Sequence, residues 1–227
     1  MTGRAVILSG AGRYADAWHD FAATSAEVAR VLTGMGLQVA VRPLTPAGVA
    51  ELCDGDLLVV NAGGKGDVLD DEPEEGWAEA FARLAAFRAR GGALLGLHAS
   101  TMTLRDWPEW TGWLGGLWVE GRSMHPPIGE AQVLVSDHAH PITEGLADFS
   151  VFDERYSLLD RFPAVRVLLH HEHEGSREPL VWVLDDAAGR RVYDALGHDA
   201  RSFASPARVE LLEREVRWLL DGGQQAS

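Results

Sequence analysis

Cysteine is almost missing from this 227-residue chain. Cys53 is the only one, so neither an internal disulfide nor a Cys-rich metal site can be built. Basic charge is scarce too: 20 Lys and Arg stand against 34 Asp and Glu, a formal charge of −14. Such a surface repels phosphate backbones and speaks against nucleic acid as a partner. No apolar run approaches the ~20 residues of a membrane-spanning helix. Residues 1–4 lead straight into an apolar strand without the layout of a signal peptide. There is no internal repeat, and no linker long enough to separate domains. What remains is ordinary globular material, 46% hydrophobic and 24% charged, which argues against disorder and suffices to bury a core. The expectation is a cytoplasmic protein without membrane contact, with one domain over residues 1–221 and a frayed tail over 222–227.

The first hundred residues alternate between two patterns. Residues 5–9, 38–44, 56–61 and 93–98 are short strand-like runs, mostly apolar and followed by turn signals. Between them, residues 17–35 repeat Phe21, Val28, Val31 and Leu32 near a helical period. Thr45-Pro46 opens a short capped helix, and residues 77–90 form an Ala-rich helix closed by Gly91-Gly92. This repetition predicts an α/β, flavodoxin-like doubly wound fold, with a mostly parallel sheet and helices on both faces. Such sheets bind ligands beyond the carboxyl ends of their strands, here around residues 10–12, 61–64 and 98–101. The second half departs from the rhythm. Runs at 132–136, 150–152, 166–170, 180–184 and 191–196 predict extra, partly antiparallel strands that extend the sheet or form a flap. A last amphipathic helix follows over about 206–220. Residues 67–76 read as an acidic, solvated loop.

Several motifs carry chemistry. Gly96-Leu97-His98-Ala99-Ser100 ends a strand at a turn among small residues, the setting of a nucleophile elbow. The projected residue is His98, whose imidazole suits a general base, a donor or a metal ligand, or else a hydrogen-bonded cap on the sheet. Asp153-Glu154-Arg155-Tyr156 sets adjacent carboxylates beside a phenol at a strand end, so that one can face a site while the other pairs locally. Gly197-His198-Asp199 stops a further strand where a carboxylate can orient a histidine. Residues 137–143 read as a turn rather than a chelate of His138 and His140. Residues 170–174 read as a solvated hairpin end rather than a metal site of His171 and His173. Asp106 fits the N-cap of a helix bearing Trp107, Trp110 and Trp113; some of these must be core, while an exposed one can stack on a sugar ring. Cys53 reads as packing.

These motifs also occur in a recognisable order. Gly-Leu-His-Ala-Ser at the elbow is followed by Trp107-Pro108 leading to Leu114-Gly115-Gly116, then by His125-Pro126-Pro127. His140-Pro141-Ile142-Thr143-Glu144-Gly145-Leu146, Asp153-Glu154-Arg155-Tyr156 and Leu196-Gly197-His198-Asp199 complete it. In this the chain resembles, over nearly its whole length, the trehalose-utilisation or ThuA-like family of the class I glutamine amidotransferase-like fold. The resemblance implies that His19, His98, His125, Asp153, Glu154, Tyr156 and His198 line one pocket. Amidotransferases of that fold carry a cysteine at the elbow. With His98 there and Cys53 elsewhere, glutamine hydrolysis through a thioester is not expected. The family's link is to disaccharide catabolism by way of keto sugars.

The expected activity is acid–base or metal-assisted chemistry on a sugar. His98, Asp153, Glu154 and His198 are the catalytic candidates, and His19, His125, Tyr156, Asp199 and Trp107 the substrate-binding ones. A divalent metal, zinc or manganese, would be held by three histidines, His98, His125 and His198, with a carboxylate. The expected partner is a small-molecule sugar, and a homo-oligomer is compatible with the sequence. Two other readings stand beside this one. The first is a sugar-binding protein without catalysis; the second is a scaffold subunit that partners a dehydrogenase, which needs an exposed apolar patch.

Overall fold

The computed structural model describes residues 3–64 and 75–221, so the tail and nearly all of the acidic run at 67–76 lie outside the described residues. Along the chain come β1 (Arg4–Ser9), α1 (Phe21–Gly34), β2 (Gln38–Pro43), α2 (Pro46–Ala50), β3 (Leu57–Asn61), α3 (Trp77–Ala89) and β4 (Ala93–Leu97). Then follow α4 (Glu109–Leu114), β5 (Gly116–Leu117), β6 (Gly129–Val135), β7 (Phe149–Asp153), β8 (Asp160–Arg161), β9 (Arg166–His173), β10 (Ser176–Asp186), β11 (Gly189–Asp194) and α5 (Pro206–Asp221). Local chemistry sets several of these bounds. The Asp20 carboxylate accepts the Ala23 N–H and starts α1, later than the apolar period alone indicates. Thr45 accepts the Gly48 N–H ahead of Pro46, as a capped short helix requires.

Nine strands form one sheet in the order β2-β1-β3-β4-β11-β10-β9-β6-β7. The first five run parallel. From β11 outward each neighbour is antiparallel, while β5 and β8 pair separately. The second half therefore extends the sheet, and it also returns one strand, β11, into the parallel part. The register sets Tyr193 beside Gly96 and Asp194 beside Leu97, so the residues that follow both strands emerge side by side. β3 is buried throughout, as a central strand covered on both faces must be. Helices α1 and α5 pack together and against the parallel strands, and α4 lies on β11.

Several expectations change in three dimensions. Trp107, Trp110 and Trp113 are all buried. Asp106 does not cap α4, which starts after Pro108; its carboxylate instead accepts the Tyr14 hydroxyl at 2.5 Å. Cys53 is exposed rather than packed. His170 and His171 are buried within the β9–β10 hairpin, whose two turn residues, Glu174 and Gly175, both take positive φ. Residues 137–143 do form a turn: the Asp137 carboxylate accepts the Ala139 N–H, and the Thr143 hydroxyl donates to the Asp137 carbonyl. Among the described residues no helix is long and apolar enough to cross a membrane.

Candidate functional site

The chain leaves β4 through a strained bend. His98 has φ +40°, in the left-handed region that residues with a side chain seldom enter. Its carbonyl accepts the Tyr193 hydroxyl at 2.9 Å, which helps hold the bend. A glycine is needed two residues earlier, because a Cβ at Gly96 would stand 2.4 Å from Leu114 Cδ1 and 2.8 Å from Ser100 Oγ. His98 is 1% exposed, and its Nδ1 lies 2.7 Å from the Ala195 carbonyl. A carbonyl can only accept, so Nδ1 carries a hydrogen and Nε2 is the nitrogen that faces the site.

The bend after β11 is built by carboxylates. Asp194 accepts the Leu196 N–H at 2.9 Å and pairs with Arg208 of α5 at 2.8 Å, both side chains being sealed from solvent. Asp153 accepts the N–H groups of Glu154, Gly197 and His198 at 2.9, 2.8 and 3.1 Å. Asp153, expected as a catalytic group, is thus occupied by backbone N–H groups, the geometry of a positioning residue. Its neighbour Glu154 faces the site. Glu154 Oε2 lies 3.1 Å from His198 Nδ1 and 3.5 Å from His98 Nε2, and Oε1 lies 3.5 Å from His125 Nδ1.

The fourth group comes from the loop before α1. The Asp16 carboxylate accepts the backbone N–H groups of Trp18 and His19 at 2.9 and 3.0 Å, and it meets His19 Nδ1 at 2.8 Å. Held in this way, the His19 ring lies 5.0 Å from that of His98 and 4.8 Å from that of His198. Its buried Nε2 has no hydrogen-bond partner among the described residues. One ligand atom from each of His19, His98, Glu154 and His198 lies within 4.8 Å of all the others. Three imidazoles and a carboxylate suit zinc or manganese. Asp16 on His19 and a carbonyl on His98 are the outer hydrogen bonds that orient ligating histidines. His19, and not His125, therefore stands in the cluster with His98 and His198; His125 is exposed and meets the other oxygen of Glu154.

The charges are arranged to match. Burial works against ionising Glu154, yet hydrogen bonds and charge from His198 and His98 hold its carboxyl far below the usual range. Burial also works against a charged His198, but Glu154, with Asp153 and Asp199 behind it, raises it above an ordinary histidine. His19 goes the other way, lowered by burial with His98 and His198 adding to the effect against Asp16. Tyr156 closes one side, its ring 4.2 Å from that of His98 and 4.9 Å from that of Trp118. Burial pushes its phenol well above the usual value, so it stays a hydrogen-bond donor.

Two substrate-binding assignments are corrected. Asp199 accepts the Arg201 N–H at the start of the short turn Ala200–Ala204 and pairs with the Arg201 guanidinium. Its carboxylate is engaged there rather than in the cluster. Trp107 is 5% exposed, packed near Phe81 and Trp113, and offers no face to a sugar. Sequence reasoning missed Asp16 and Arg208. Asp16 alone had a local signal, an Asx-type spacing to Trp18 and His19 ahead of a helix.

The chain matches the family model described as trehalose utilisation, ThuA, over residues 4–219. Among solved structures it is similar to a ThuA-like protein from Parabacteroides merdae, at 20% identity and TM-score 0.75 over 98% of this chain and 91% of that one. A ThuA-like protein from Bacteroides uniformis shows 17% identity and TM-score 0.73, over 96% and 91% of the two chains. A glutamine amidotransferase from Thermotoga maritima shows 15% identity and TM-score 0.55, over 96% and 89%. At these identities the likeness is one of fold. None of the curated proteins matches the chain.

Proposed function

The chain belongs to the ThuA, or trehalose-utilisation, family, and from that premise we propose that it is a metal-dependent enzyme acting on a disaccharide in its keto form. One observation carries the reading: four ligand atoms, from residues 19, 98, 154 and 198, converge within 4.8 Å at the carboxyl end of the parallel strands. This is where folds of this kind bind ligands. His19 and His98 by Nε2, His198 by Nδ1 and Glu154 by a carboxylate oxygen would hold a divalent ion such as zinc or manganese. When bound, that ion supplies a Lewis acid for a sugar carbonyl or hydroxyl oxygen.

The remaining chemistry falls to the chain itself. Asp16 and the Ala195 carbonyl fix the tautomers of His19 and His98. His125, exposed and 3.5 Å from Glu154, is the imidazole available to move a proton at a carbon beside a keto group. Tyr156 keeps its proton and can donate to a sugar oxygen. An acyl-thioester route has no nucleophile here, because Cys53 precedes β3 at the strand end opposite the site. The test is elemental analysis of untagged protein purified without added metal, wild type beside His98→Ala, followed by assays on oxidised disaccharides. About one equivalent of transition metal, lost in the variant together with turnover, is the expected result. Full turnover by metal-free protein would overturn the metal reading. No turnover of any keto sugar by the metal-loaded protein would overturn the enzyme reading.

A further inference from the structure

The residues that follow β11 serve the cluster twice. The Ala195 carbonyl accepts His98 Nδ1 at 2.7 Å and orients that ring, while His198 brings its own ring to Glu154 at 3.1 Å. Between them stands Gly197 at φ +109°, a backbone conformation that favours glycine. A short stretch, 195–198, that belongs to no helix or strand therefore sets two of the cluster's three imidazoles. Its shape has to be imposed by what packs around it. From one side Asp153 accepts the N–H groups of Gly197 and His198.

On the other side lies a sealed ion pair. Asp194 Oδ1 accepts the Leu196 N–H at 2.9 Å, and Oδ2 meets Arg208 Nη2 at 2.8 Å, with both side chains 0% exposed. Arg208 comes from α5, which packs on β4 and β11. Its guanidinium lies against the bend itself, since a Cβ on Gly197 would stand 3.9 Å from Nη2. The Phe203 ring backs the cation at 5.3 Å.

Stability is a poor reason for such a pair. Two charges taken out of water recover the cost only when their remaining groups are bonded, and apolar residues of similar volume often do as well. Here Arg208 Nε and Nη1 have no hydrogen-bond partner among the described residues. What the pair supplies is direction: a carboxylate held by a cation on a neighbouring helix cannot swing away from the Leu196 N–H.

We infer that the Asp194–Arg208 pair positions the cluster, by holding the 195–198 bend where the Ala195 carbonyl and the His198 ring meet their partners. Arg208 acts through Asp194 and the main chain, as a positioning residue. The inference rests on reading the cluster as a metal site, and it extends control of that site to a helix on the face of the sheet.

The experiment is titration of metal-free, full-length protein with cobalt(II), whose visible absorption reports both occupancy and ligand geometry. Wild type is compared with Asp194→Asn, with Arg208→Lys, with Asp194→Asn and Arg208→Met combined, and with Leu84→Ala as a control for lost packing in α3. The double variant removes both charges together and leaves no lone ion of the pair in the core, so it should fold. Asp194→Asn keeps an oxygen for the Leu196 N–H and carries the same test should the double variant not fold. Wild type should take up about one equivalent of cobalt. The double variant and Asp194→Asn should bind it about tenfold more weakly, with an altered absorption band. Arg208→Lys keeps the charge and should regain most of the affinity. Leu84→Ala should unfold at lower denaturant yet bind as wild type does. Wild-type affinity and band shape in the folded charge variants would overturn the inference and leave the metal site standing. Equal weakening in Leu84→Ala would overturn it as well, because the effect would then be a general loosening of the fold. Cobalt uptake by none of the proteins would overturn both the inference and the metal reading beneath it.

Discussion

Asp153 and His198 are joined by a hydrogen bond from the His198 backbone N–H to the Asp153 carboxylate at 3.1 Å, across 45 residues of chain. The next residue, Glu154, meets the ring of the same histidine at 3.1 Å. Two successive carboxylates at the end of β7 therefore grip one residue beyond β11, one by its main chain and one by its side chain. These strands are not neighbours in the sheet, so the grip ties its antiparallel half to its parallel half at the site.

The role of Asp153 as a positioning residue predicts what an amide would do there. Asp153→Asn keeps one oxygen acceptor but turns an N–H donor toward backbone N–H groups that now have both oxygens to bond. Unfolding free energy should fall by about 1–3 kcal/mol, measured by denaturant titration. In the folded variant, metal affinity should fall about 10- to 100-fold, as for other groups that orient ligands. Unchanged affinity would confine Asp153 to the fold.

The ligand set is tested by exchanging two histidines. His19→Ala should lose its bound metal, and His125→Ala should keep it, because His125 lies outside the cluster of four. If His125 moves the proton, His125→Ala should still lose turnover while retaining metal. Metal analysis and a rate assay on the same samples separate the two effects. Metal loss from His125→Ala with full occupancy in His19→Ala would reverse the assignment.

A pH dependence follows from the core beneath the site. Arg208 and Asp194 form a sealed ion pair, and Glu215, on the same face of α5 as Arg208, is buried beside them. Burial, with the negative Asp194 next to it, pushes the Glu215 carboxyl well above its ordinary value of 4.5. The native state therefore holds a proton that the unfolded chain releases. Stability from this group is complete below that ordinary value and is lost as pH rises toward the folded one. Glu215→Gln cannot ionise in either state. Its melting temperature relative to wild type should climb between about pH 5 and 8, read by thermal melts across that range. A flat difference would show Glu215 ionised in the native protein.

The elbow makes a steric prediction. Gly96→Ala brings a methyl within 2.4 Å of Leu114 Cδ1 and 2.8 Å of Ser100 Oγ, inside the packed layer below His98. The expected loss is about 1–3 kcal/mol by denaturant unfolding. A change below the error of that measurement would show that Leu114 can step aside without cost.

Much of the fold was legible because it rests on local rules. The apolar strands, the Thr45-Pro46 start of α2 and the small residues around His98 each act on near neighbours, and periodicity reads such effects directly. The return of β11 beside β4 was not legible, since strand order depends on which edges meet after folding. The tryptophans show the limit sharply. Trp18 and Trp107 are the same side chain, yet one is 69% and the other 5% exposed, and no local pattern separates them.

For the site, the sequence by itself determined the parts. It placed an imidazole at the elbow, put two carboxylates at the end of one strand, left the elbow without a thiol, and through its motifs declared the family. Only the tertiary structure decided their offices. It turned Glu154 inward and gave Asp153 to the backbone, it tied Asp199 to Arg201, and it brought His19, and not His125, into the cluster. The physical reason is range. A side chain's rotamer and hydrogen bonds are set by whatever stands within about 3 Å of it, and at this site those neighbours lie as far apart in sequence as His19 and His198.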